Sequence, residues 1–240
     1  MTVRWSTIKV GDREARCYLA TPDHARPRAG VVIAMHGFGF DATMWDAVHR
    51  LHRAGYAVAM PDLFHRQPAL APDVPATVAD VMARLKMLRD NEIIADMNAA
   101  AELLKSQSAP ITTLGVTGFC MGGRVAYLMA AANHAFRAAA VFYGGGIMDA
   151  WGDGLSPFTR STEIGCPVIG FFGSEDAHPS PDDVHKIDAE LTRLGKWHEF
   201  HMYRDAGHAF QNFLNPDRYR ERPVRASWGE LLAFFDQTLV

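Results

Sequence analysis

Short runs of almost uninterrupted apolar residues recur along the chain, separated by longer stretches in which apolar and polar positions follow a helical period. Gly30–His36 (GVVIAMH), Tyr56–Met60, Ile111–Thr117, Ala138–Tyr143 and Pro167–Phe172 are runs of this kind, and Glu199–Tyr203 reads as a further strand. Runs without polar alternation suit strands covered on both faces, as in a central parallel sheet. Ile8–Val10 and Ala15–Ala20 flank Gly11-Asp12, a dipeptide suited to a tight turn, so the chain is predicted to open on a β-hairpin. Helices are predicted over Thr43–Ala54 with Gly55 as terminator, Val78–Leu104 with a break near Arg89–Asn91, Arg124–Asn133, Asp182–Leu194 and Arg225–Leu239.

Repeated strand–helix alternation predicts an α/β fold: a mainly parallel sheet flanked by helices, with the hairpin at its N-terminal side. Leu63–Thr77 is rich in Pro and Ala and lacks a period. It reads as a cap loop and not a linker, because the alternation resumes after it, and one domain over residues 1–240 is expected. A chain of 240 residues can bury a core large enough to stand without disulfides or metals.

Composition narrows the function classes. With 48% hydrophobic and 21% charged residues the chain is not disordered, and a net charge of −3 gives no electrostatic basis for binding nucleic acid or an anionic membrane. No run approaches the ~20 apolar residues of a membrane span, and MTVRWSTIKVGDRE lacks the apolar core of a signal peptide. The expectation is a cytoplasmic protein, monomeric or a small homo-oligomer, acting on a small molecule. The 3 cysteines contain no CxxC pair, the 11 histidines no HExxH spacing, and Gly37-Phe38-Gly39 is only half of a dinucleotide fingerprint. No metal and no cofactor are expected.

The chemistry concentrates in Gly118-Phe119-Cys120-Met121-Gly122-Gly123, a G-x-C-x-G segment between an apolar strand and a helix. It is the thiol form of the nucleophile elbow, a sharp turn that needs small neighbours and aims its side chain out of the sheet at a helix N-terminus. There, free N–H groups and the helix dipole favour thiolate over thiol, and the Met121 N–H can receive a developing oxyanion. Cys17 and Cys166 lack such surroundings and read as inert small hydrophobes. A thiol nucleophile requires a base and the base an orienting acid. Asp176 follows the strand CPVIGFF, and His208 follows WHEFHMY, so nucleophile, acid and histidine each come after a separate strand. This is the α/β-hydrolase order. Glu175 is a neighbouring acid, Asp182 and Asp183 read as helix caps after Pro181, and His201 and His178 are the competing histidines.

GFCMGGR (Gly118–Arg124), CPVIGFFGSED (Cys166–Asp176) and AGHAFQN (Ala206–Asn212) resemble the dienelactone hydrolase family of α/β-hydrolase-fold enzymes, with weaker echoes in AMHGFGF, PDLFHR and ASWGELLAFFDQTL. The resemblance implies Cys120 as nucleophile, His208 as base, Asp176 as orienting acid, and the Phe38 N–H as second oxyanion donor. It departs from the family at two positions: Gly37 stands where a gating glutamate is found, and Asn212 where an arginine holds the substrate carboxylate. Either a standing Cys120–His208 ion pair or modulation by His36 would take the glutamate's place. Arg66, Arg84 and Arg124 are the cations weighed as replacements for the arginine. Phe40, Phe64, Arg66, Tyr143 and Asn212 are the expected substrate-binding set. The activity implied is hydrolysis of a lactone or carboxylic ester through a thioester, with a lactone-binding protein of little turnover as the alternative.

Overall fold

Strands β3 (Gly30–Ala34), β4 (Ala57–Pro61), β5 (Leu114–Phe119) and β7 (Val168–Gly173) are buried along their whole length. That matches the uninterrupted apolar runs, because a strand covered on both faces has no solvent side to fill with polar residues. The computed structural model describes residues 2–22, 26–69, 76–107 and 111–240. Within them one eight-stranded sheet runs in the order β1-β2-β4-β3-β5-β6-β7-β8, with β1 (Thr2–Val10), β2 (Arg13–Thr21), β6 (Phe136–Phe142) and β8 (His198–Tyr203) completing it. β1 pairs antiparallel with β2, and β2 with β4; every other pairing is parallel.

The hairpin strands are longer than the sequence reading gave them, pairing from Thr2↔Thr21 to Val10↔Arg13. β1 is an edge strand largely open to solvent, so Arg4, Ser6 and Thr7 are compatible with it and hide it from an apolar-run criterion. α1 (Ala42–Arg53) is capped by Asp41, whose side chain accepts from the N–H groups of Thr43 (2.9 Å) and Met44 (3.1 Å). The break expected near Arg89–Asn91 separates α2 (Val78–Lys86) from α3 (Asp90–Lys105). α5 (Pro181–Arg193) starts with a Ser180/Asp183 capping box and Pro181 in the first turn, and α6 (Glu221–Thr238) closes the chain.

α4 (Met121–Ala132) begins three residues before the expected Arg124, because the chain reverses within a single residue, Cys120. All of Met121–Ala131 is buried, so this helix is enclosed on every side. Arg124 is fully buried as well. Its guanidinium pairs with Asp90 at 2.5 and 2.9 Å, donates to the carbonyls of Gly146 and Asp149, and lies 3.9 Å from the Trp151 ring centre. Removing one partner of such a pair would cost about 3–5 kcal/mol, so Arg124 is committed to structure and cannot serve as a substrate cation. Residues 70–75 of the expected cap loop lie outside the described residues.

Candidate active site

The parallel strands deliver their C-terminal ends to one rim of the sheet, where the loops after β3, β5, β7 and β8 carry His36–Phe38, Cys120, Asp176 and His208. Cys120 sits at φ 58°, ψ −120°, a conformation that costs a non-glycine residue about 1–3 kcal/mol and needs firm support. Its N–H donates to Phe142 O at 3.0 Å and its carbonyl accepts from the Gly123 N–H at 2.9 Å. At Gly122 a Cβ would meet Ala34 O at 2.0 Å, so only glycine lets α4 press against β3. At Gly173 a Cβ would meet Ala206 O at 2.2 Å. This close approach brings the loop after β7 against the one after β8, and with them Asp176 against His208.

Asp176 is 4% exposed. One carboxylate oxygen accepts the His178 N–H at 2.8 Å and the other lies 2.9 Å from His208 Nδ1, leaving His208 Nε2 for the hydrogen bond to the Cys120 thiol. Burial opposes a charged imidazole, yet the hydrogen bonds and charges of Asp176 and Cys120 outweigh it and raise the His208 pKa to about 10. Burial likewise opposes a thiolate at Cys120. Here it is outweighed by the His208 hydrogen bond and charge and by the N–H groups of Met121 and Gly37, and the thiol pKa is lowered. The two directions agree on a thiolate–imidazolium pair.

Of the expected oxyanion donors, Met121 faces the sulfur, but the Phe38 N–H donates to His36 Nδ1 at 3.1 Å. It is the Gly37 N–H that reaches the sulfur. A backbone N–H can only donate, so His36 Nδ1 is unprotonated and Nε2 carries the proton toward Asp41 Oδ2, at 3.0 Å. His36 thus ties the loop after β3 to the cap of α1 and, with Gly37 held between His36 and Phe38, fixes the Gly37 N–H beside the sulfur.

Two cavities meet at Cys120 and His208. The larger, about 900 Å³, is walled by Val78, Val81, Met82 and Leu85 of α2, by Trp151, and by Arg218. The smaller, about 70 Å³, lies on the side of His36, Tyr143, Gln211 and Asn212. Tyr143 contacts the His208 ring edge-on at 5.4 Å, and burial followed by the charges of Cys120, Asp41 and Asp176 raises its pKa far enough to keep the hydroxyl neutral. Asn212 lines the small cavity, but its side-chain oxygen accepts the Leu214 N–H at 3.0 Å.

Three expected substrate residues are elsewhere. Phe40 stacks on Trp45 (5.4 Å) and against Trp5 (4.8 Å) beside the hairpin, because the loop after β3 turns away from the rim at Asp41 to start α1. Phe64 is buried beneath the Arg84 guanidinium, 4.0 Å from its ring centre, which also occupies Arg84. Arg66 forms a two-pronged pair with buried Asp96, at 2.7 and 2.9 Å. Among the described residues, α2 supplies apolar wall of the kind the sequence reading assigned to the loop. Its apolar residues were legible as a helix but carried no sign of facing a cavity. Arg218, shared by both cavities, makes no hydrogen bond or ion pair through its guanidinium among the described residues, and nothing local in sequence singled it out. No helix among the described residues is long and apolar enough to cross a membrane.

With this geometry in place, likeness to known proteins is informative. A Salmonella typhimurium protein provisionally named carboxymethylenebutenolidase is 29% identical over 89% of this chain and 81% of its own length. A Bradyrhizobium protein provisionally named 2-oxo-3-(5-oxofuran-2-ylidene)propanoate lactonase is 25% identical over 96% of this chain and 92% of its own. A Klebsiella pneumoniae structure provisionally described as a dienelactone hydrolase superposes with a TM-score of 0.87 at 25% identity, covering 99% of this chain and 100% of the other. The family model for the dienelactone hydrolase family matches residues 15–239, and the chain belongs to that family, with an α/β-hydrolase fold.

Proposed function

We propose that this protein hydrolyses lactones or small carboxylic esters through a thioester on Cys120. The observation that supports the reading is the linked set Asp176–His208–Cys120, in which the thiol pKa is lowered, at the meeting point of two cavities. The resting ion pair removes any need to deprotonate the thiol during attack. The Cys120 sulfur adds to the carbonyl carbon, and the N–H groups of Gly37 and Met121 stabilise the oxygen as it gains charge. Collapse breaks the bond to the leaving oxygen, which takes the proton from His208. Neutral His208 then removes a proton from water, the water oxygen adds to the thioester, and the electron pair returns to sulfur as the acid departs.

The leaving-group chemistry favours esters over amides: thiolate is expelled from an amide adduct faster than an unprotonated amine, so that adduct reverts. The volume and mostly apolar wall of the larger cavity suit a ring or compact acyl group. Mass spectrometry of the protein mixed with panels of lactones and esters tests the reading. A transient acyl adduct on Cys120 with multiple turnovers is expected. Turnover without any adduct on Cys120 would remove the thioester route, and a stable adduct or tight complex without turnover would indicate a binding protein.

A further inference from the structure

Gly37 supplies one of the backbone N–H groups that face the Cys120 sulfur, and it is held from two directions. The bond from the Phe38 N–H to His36 Nδ1 fixes the peptide that follows it. Its Cα is backed by a different element: a Cβ there would meet Cγ1 of Val81, on α2, at 2.6 Å. Leu85, one turn further along α2, stands behind at 3.8 and 4.0 Å, ordinary contact distances. Val81 is the one buried residue of α2, whereas Val78 and Met82 beside it are exposed. A valine in a helix keeps essentially one χ1 rotamer, so its methyl cannot rotate out of the way.

α2 is tied down at its C-terminal half. There Arg84 donates to Gln67 Oε1 (3.2 Å), the Gln67 amide donates to Arg84 O (3.0 Å), and the guanidinium covers Phe64. The Thr77–Asp80 capping box at the other end closes within the helix itself. Val81 is where the helix rests on the loop after β3, and the same side chain walls the larger cavity. We infer that Val81 is a positioning residue: packed on Gly37, it holds the Gly37 N–H on the sulfur and on the oxyanion formed beside it. The inference rests on Cys120 being the acylated nucleophile. Gly37 and Val81 then act as one packing unit, in which the space a side chain at 37 would take is filled from the helix. A donor speeds the reaction only if it already points at the developing charge, so slack of about 0.5 Å in this loop lowers kcat. Acylation and deacylation both pass through such an oxyanion, so both slow.

The test is hydrolysis of para-nitrophenyl acetate, together with alkylation of Cys120 by iodoacetamide across pH. It compares the wild type with Val81→Ala, Val81→Thr, Gly37→Ala, and Gly37→Ala combined with Val81→Ala. Val81→Ala should lower kcat about tenfold and move the midpoint of alkylation to higher pH, because the donor no longer bears firmly on the thiolate. Val81→Thr keeps the branched shape and should stay within about threefold of wild type. Gly37→Ala should lower kcat about a hundredfold, and removing the valine methyls as well should recover about fivefold or more of that loss. A valine that only fills space or walls the cavity would change folding or KM and leave kcat and the alkylation midpoint at wild-type values. That result overturns the inference and leaves the thioester reading intact, as do effects of the two substitutions that simply multiply. Should Gly37→Ala fail to fold, equal kcat in Val81→Ala and Val81→Thr overturns it alone. Absence of an acyl adduct on Cys120 in the wild type, by mass spectrometry, overturns the thioester reading and the inference with it.

Discussion

Cys120 and the pair Cys17 and Cys166 are the same side chain under opposite influences. Burial pushes the thiols of Cys17, in the hairpin strand β2, and Cys166, just before β7, up to about 12, with only minor relief from the Met60 backbone and from Arg137, respectively. Burial is also the largest influence on Cys120, yet its pKa is lowered, because an imidazolium and two backbone N–H groups converge on the sulfur. Cys120 is half-buried where the other two are buried, and what sets it apart is access together with the charge and donors that face its sulfur. Inside the sheet, where no such groups face the sulfur, the same desolvation leaves a cysteine inert.

Substitutions can break or sharpen this contrast. Cys120→Ala should lower kcat/KM for an activated ester by about 10⁴-fold or more, because no other described thiol is ionisable near neutral pH. Hydrolysis of the ester by this variant at near wild-type rate would overturn the assignment. Asp176→Asn keeps the shape but removes the charge that orients and supports the imidazolium, and a loss of about 10²–10⁴-fold in kcat is expected from steady-state kinetics.

The ion pair can be read directly by alkylation with iodoacetamide as a function of pH. The wild-type thiol pKa lies below its ordinary value of 9.0, so labelling at pH 7 should be faster than for an ordinary thiol and rise less steeply toward pH 9. In His208→Ala the dominant remaining influence is burial, the pKa moves up, and labelling at pH 7 should fall by about tenfold or more while climbing steeply with pH. A parallel pH profile for the two proteins would show that His208 does not hold the thiolate. The smallest effect belongs to Cys166→Ala. It should leave kcat/KM within about twofold of wild type and lower the unfolding free energy measured by urea titration by about 1 kcal/mol at most, in keeping with a small buried hydrophobe.

Much of the site was legible because the elbow is a local device. Gly118, Gly122 and Gly123 around Cys120 signal a strand passing abruptly into a helix, and chain order then points to Asp176 and His208 as partners. What was not legible depended on where loops go after they leave the sheet. Phe40 and Phe64 look like pocket aromatics in sequence, but one joins the Trp5–Trp45 cluster and the other packs under Arg84. The loop after β3 is a further case, since only the fold shows the Phe38 N–H turned to His36 and the Gly37 N–H turned to sulfur. Arg66 and Arg124 carry charge that sequence counts as available and that Asp96 and Asp90 neutralise in the core.

Sequence alone determined the order of strands and helices, the strained cysteine turn and the candidate reacting groups. Each of these is encoded by neighbours a few positions apart, through hydrophobic period, glycine clearance or capping. The direction of each N–H, the division of space into two cavities and the charge state of the sulfur were decided by the tertiary structure. They arise from groups distant in the chain, and hydrogen bonds and electrostatic effects of that kind depend on ångström-scale separations that no linear pattern specifies.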